Sequence, residues 1–104
     1  MSNIIDISKL KRHTKIIVET EETVFEIVVS GPKSSRIFVT GGIAFIRRTK
    51  ATLDNIIEKK RRMLFLYSDK NGAPMSFNSS KVVSATVLAS DGSWYYDAIE
   101  KQDK

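Results

Sequence analysis

The sequence contains no cysteine. That absence excludes disulfides, thiolate metal sites and cysteine nucleophiles, and it fits a reducing compartment, so the expected location is the cytoplasm. No stretch approaches the roughly 18 apolar residues of a membrane-spanning helix. The opening MSNIIDISKLKRH also lacks the apolar core of a secretory signal, so a soluble chain without a membrane partner is expected.

Catalytic machinery is equally sparse. His13 is the single histidine; it lies in a basic segment and reads as a surface residue rather than a general base. No G-x-S-x-G elbow accompanies the serines, and Ser79-Ser80 reads as a loop or strand entrance. Neither GxxxxGK[ST] nor GxGxxG occurs, which makes Gly41-Gly42 a hairpin turn and not a phosphate loop. Glu19, Glu21, Glu22 and Glu26 lack the spacing of a calcium loop and read as a solvated acidic hairpin. The RNP1 pattern and the GXXG loop of two RNA-binding folds are missing as well. The expectation is a non-enzymatic domain with no catalytic residue, no metal and no cofactor.

What is present suits one small globular domain. The 104 residues are 41% hydrophobic and 28% charged, enough for one core and too few for two. Seventeen basic against twelve acidic residues give a net charge of +5, and residues 47–62 alone account for it, with seven cations against Asp54 and Glu58. A second basic group, Lys9, Lys11, Arg12 and Lys15, is offset by the glutamates that follow it. Such segregation permits a polar surface field.

Three turn dipeptides, Gly41-Gly42, Asn71-Gly72 and Asp91-Gly92, each separate runs rich in β-branched and aromatic residues, the signature of tight hairpins. RIFVT and IAFIRR, MLFLYSDK and APMSF, and VVSATVLAS and SWYYDAI therefore pair. KIIVET and TVFEIVV form a fourth hairpin around Glu21-Glu22. The fold expected over residues 15–100 is all-β and mainly antiparallel, a small SH3-like or OB-like barrel of about eight short strands. Residues 1–14 form an N-terminal arm for which a short helix, an added edge strand and a mobile state all remain open.

One segment departs from the strand pattern. In TLDNIIEKK, Leu53, Ile56 and Ile57 fall at i, i+3 and i+4, with Thr52 as N-cap and lysines at the C-terminal end, which predicts a short helix near residues 52–60. The next run alternates Met63, Phe65 and Tyr67 with Leu64, Leu66 and Ser68. It is a strand covered on both faces, or one whose outer face meets a partner.

Two functions follow. In the first, the helix brings Arg47, Arg48 and Lys50 close to Lys59, Lys60, Arg61 and Arg62, and the joined patch binds single-stranded nucleic acid, with phosphate contacts supplying the affinity. Trp94 and Tyr95 cannot both face inward, so an exposed ring, assigned to Trp94, stacks on bases; Phe45, Phe65 and Phe77 belong in the core by alternation. In the second, the same cations serve solubility, and surplus apolar strand faces or open strand edges join a protein partner or a second copy.

Overall fold

The structure, a computed structural model, describes residues 3–54, 56–91 and 95–101, with Tyr95 by its backbone alone. Among these described residues nine strands are present: β1 (Ile4–Asp6), β2 (Lys15–Thr20), β3 (Val24–Gly31), β4 (Arg36–Gly41), β5 (Phe45–Leu53), β6 (Ile56–Glu58), β7 (Arg62–Ser68), β8 (Pro74–Leu88) and β9 (Tyr95–Ile99). Every pairing among them is antiparallel. Hydrogen bonding runs in the order β2-β3-β4-β5-β7-β8, and β8 pairs back onto β2, closing a six-stranded barrel. The all-β small barrel expected from the turn spacing is therefore what forms.

Strand β8 makes closure feasible. Its first half pairs with β7, from Ser68–Pro74 to Arg62–Lys81, and its second half pairs with β2, from Thr20–Val82 to Lys15–Leu88. β9 then pairs with the end of β8 that β7 has left. At the crossover Ser79 is buried: its hydroxyl accepts from the Met63 amide at 2.9 Å and donates to the Ser80 carbonyl at 2.6 Å. The β7–β8 register shifts at this point, between Arg62 and Leu64, and the hydroxyl satisfies the amide that the shift strands. Ser79-Ser80 is thus the middle of a strand, not a loop or strand entrance; a hydroxyl supporting a bulge carries no local sequence signature.

Alternation along the strands fills the interior. Ile16 and Val18 of β2, Phe25, Ile27 and Val29 of β3, and Ile37 and Val39 of β4 are all buried, at the period of two that places one face of a strand inward. Phe45 sits at the centre of an aromatic group, 5.2 Å from Phe65, 5.1 Å from Tyr67 and 5.6 Å from Phe77 between ring centroids, in edge-on arrangements that such rings favour. The inward placement expected for Phe45 and Phe65 holds in full, while Phe77 is half-buried. The β4–β5 hairpin reaches this group through Gly41, whose φ is +148° and whose missing Cβ would lie 2.5 Å from the Val24 carbonyl oxygen.

Residues 52–54 and 56–60 are not a helix. β5 continues to Leu53, and Ile56–Glu58 form β6, which pairs with β1 so that Ile57 faces Ile5. Leu53 and Ile57 are buried, but Ile56 is exposed. The apolar set that suggested a helical stripe is split between two strands, because β-branched Ile56 and Ile57 gain a strand partner from the N-terminal segment. That segment is ordered by the same pairing, and Ile5 and Ile7 join the core. Asp6 caps the 3-10 helix Ile7–Lys9, accepting from the Ser8 hydroxyl at 2.6 Å and its amide at 3.0 Å. The hydroxyl bond, foremost, holds the Asp6 carboxyl below its ordinary pKa.

Candidate binding groove at the β5–β7 seam

The barrel has one weak join. Strands β5 and β7 share just two residue pairs, Thr52–Leu66 and Leu53–Phe65, whereas the other joins are paired along most of their strands. Beyond Thr52 the strands diverge. Among the described residues no strand pairs with the β7-facing edge of residues 46–51, or with the matching edge of Tyr67 and Ser68. A groove of about 590 Å³ occupies the gap, floored by Thr49, Ala51 and Tyr67 and rimmed by Arg36, Phe38, Lys50, Leu66 and Ser68. Unpaired strand edges are templates for another extended chain.

Strand pairing explains the groove's polarity. Phe38 of β4 stands opposite Lys50 of β5, on the outer face, and the Arg48 guanidinium lies 4.1 Å from the Phe38 ring centroid. Arg48 and Lys50 therefore share that face and flank one ring, an arrangement that holds a cation flat against an aromatic surface. No Asp or Glu occurs between Glu26 and Asp54, while Lys33, Arg36, Arg47, Arg48 and Lys50 all do. Among the described residues the ion pairs are Lys15–Glu26 at 3.1 Å, Arg61–Glu58 at 3.5 Å and Lys101–Glu19 at 3.4 Å. None of them engages the cations of β4 or β5.

The structure separates the two basic groups that a helix would have joined. Arg48 stands four residues before Thr52 and Arg62 four before Leu66, and because the Thr52–Leu66 pair is antiparallel these displacements point in opposite directions, about 26 Å in all at the usual rise per residue. Lys59 and Lys60 form the turn into β7, where the Lys60 amide bonds the Val82 carbonyl at 2.9 Å. Arg62 stands opposite Lys81, and one of its guanidinium nitrogens donates to the Ser79 carbonyl at 3.2 Å. The acidic β2–β3 hairpin adjoins this second group: a Glu21 carboxylate oxygen accepts from the Lys81 amide at 3.4 Å, and the Glu22 amide bonds the Ser80 hydroxyl at 3.1 Å. Arg61 itself pairs with the local Glu58, while the β2–β3 hairpin, from a distant part of the chain, meets the neighbouring Ser80 and Lys81, a proximity that charge counting within one segment does not register.

The aromatic residues available for stacking are likewise fewer than the sequence offers. Phe25, Phe45 and Phe65 are buried, and Tyr67 and Phe77 are half-buried against Phe45. Tyr96 is exposed on β9; Trp94 lies outside the described residues. His13 is exposed in the turn before β2, at a φ of 73°. Exposed large apolar side chains are spread over the surface: Ile46 on β5 and Ile43 in the turn before it, 78% and 93% exposed, Leu66 and Met75 on the β7–β8 hairpin, Val24 on β3, and Ile4 and Ile56 on the β1–β6 pair. No described helix is long and apolar enough to cross a membrane.

Compared with protein-family models, with curated proteins and with solved structures, the chain matches none.

Proposed function

We propose that this domain is a non-enzymatic protein-interaction module that accepts an extended polypeptide segment by strand addition at the β5–β7 seam. The observation that carries this reading is the seam itself: a closed barrel in which one join is held by two residue pairs and then opens into a groove flanked by unpaired strand edges. A bound segment would pair its amides and carbonyls with the edge of residues 46–51, while its alternate side chains meet Tyr67 and Thr49 on one side and Phe38, Lys50 and Leu66 on the other. Main-chain pairing supplies affinity in this mode, and side-chain positions at a period of two supply selection.

The competing reading is single-stranded nucleic acid held by Arg47, Arg48 and Lys50, together with Lys59, Lys60, Arg61 and Arg62. The lack of acidic residues across β4 and β5 favours an anion there, but most core aromatics are unavailable for stacking, and the second cation group is distant and adjoins glutamates. Strand addition uses both the open edges and the half-exposed apolar side chains, which a nucleic acid backbone would leave idle.

The test is a heteronuclear NMR titration of the whole protein with extended peptides and, in parallel, with a ten-nucleotide thymidine strand. Strand addition predicts peptide-induced shifts concentrated at the amides of residues 46–51 and 66–68. Shifts caused by the oligonucleotide alone, centred on Lys59 to Arg62, would overturn it.

A further inference from the structure

Resting on the strand-addition reading, we infer that the segment received at the seam is acidic: carboxylates at every second position face Arg48 and Lys50, and apolar side chains between them face the groove floor. Strand geometry sets the first half of this pattern. Arg48 and Lys50 lie on the outer face, tied to it by the Arg48 guanidinium over Phe38 and by the Phe38–Lys50 pairing. A strand laid along β5 must project alternate residues onto that same face. Opposite charges directly across a strand pair are favourable, and like charges are not.

The second half follows from the floor. Tyr67 and Ala51 present apolar surface, and the Tyr67 ring rests edge-on against Phe45, 5.1 Å away. Side chains of the incoming strand that point this way meet the margin of the aromatic core. Valine or isoleucine at those positions extends the core, whereas a charge would be desolvated there without a partner.

The same cations argue against a second copy as the occupant. Two β5 edges paired antiparallel about Thr49 would set Arg48 against Lys50 twice, and pairing about Arg48 would set Arg48 against itself. Neither arrangement supplies a carboxylate, since β4 and β5 contain none. Cations on an open edge therefore block self-pairing and select an acidic partner with the same side chains.

Three acetylated heptapeptides test the inference on the intact protein: alternating glutamate and valine, alternating threonine and valine, and alternating lysine and valine, with the ten-nucleotide thymidine strand as a fourth probe. Affinities come from NMR titration at low and at moderate salt. The glutamate peptide should bind at least tenfold more tightly than the threonine peptide and the lysine peptide least tightly, with the glutamate advantage shrinking as salt rises. Arg48→Gln with Lys50→Gln should bring the glutamate-to-threonine ratio close to one, while Arg61→Gln with Arg62→Gln should leave it unchanged. Equal binding of glutamate and threonine peptides at the seam amides would overturn the charge preference while strand addition stands. No seam shifts with any peptide would overturn both. Tighter binding of the thymidine strand at those same amides would identify the anion as nucleic acid and overturn the acidic-peptide assignment.

Discussion

The Arg48 guanidinium rests 4.1 Å from the ring centroid of Phe38. The contact joins neighbouring strands of the barrel wall, and it fixes the position of a charge more than it stabilises the fold. Both groups are near the surface, where such contacts contribute about 0.5–1 kcal/mol. Arg48→Ala should therefore lower stability by no more than about 1 kcal/mol in denaturant titration, yet weaken binding of the glutamate–valine peptide several-fold. Phe38→Leu should do the same more mildly, because the cation remains but loses its platform.

Self-association is the reciprocal prediction. The native protein should sediment as a monomer at micromolar concentration, since its open β5 edge carries like charges. Replacing Arg48 and Lys50 with threonine removes that repulsion while keeping β propensity. Analytical ultracentrifugation of this double variant should show a dimer; a strict monomer at the same concentration would mean the edge is protected by something other than charge.

Two glycines with positive φ should respond differently to alanine. At Gly41 a Cβ would meet the Val24 carbonyl oxygen at 2.5 Å and the Phe25 Cα at 3.0 Å, so β3 itself must move, whereas nothing lies within 4 Å of the corresponding position at Gly72. Gly41→Ala should cost about 3 kcal/mol or more, and Gly72→Ala about 1 kcal/mol from backbone strain alone. Thermal denaturation followed by circular dichroism separates the two.

Ser79 offers a third measurement of stability. Ser79→Ala removes the acceptor for the Met63 amide inside the barrel and leaves a buried donor unpaired, a loss of about 1–3 kcal/mol. Hydrogen exchange at Met63 should accelerate with it. An unchanged exchange rate would mean that the bulge is held by the strands and not by the hydroxyl.

The contrast between the turns and the seam shows which features the linear sequence makes legible. The hairpins at Gly41-Gly42 and Asn71-Gly72 could be read because turn chemistry is local and positive φ selects particular residues. The interior could be read because Ile16, Val18, Phe25 and Ile27 alternate. Ile56 and Ile57 misled because a short apolar spacing fits either a helix or two strand ends, and the deciding partner, β1, lies some fifty residues away in the chain. The opening of the seam had no local signal of its own. Its opening depends on how far β5 and β7 remain paired, which is a property of barrel closure. The basic residues of β5 were visible as charges, but their separation from Lys59 to Arg62 followed only from the strand that replaced the expected helix. Leu66 carried a partial hint, since the apolar outer face of β7 called for either a cover or a partner, and among the described residues it stays half-exposed beside the groove.

The central claim, that the seam must be open to receive a strand, can be tested by closing it. Lys50 and Ser68 both line the groove on opposite strands, and the absence of native cysteine makes a Lys50→Cys, Ser68→Cys pair unique in the chain. Bridging that pair with a short bifunctional maleimide should leave the circular dichroism spectrum and melting behaviour intact while weakening the glutamate–valine peptide at least tenfold relative to the same variant with its thiols capped separately. Equal affinity of the bridged and unbridged proteins would contradict strand addition at this seam.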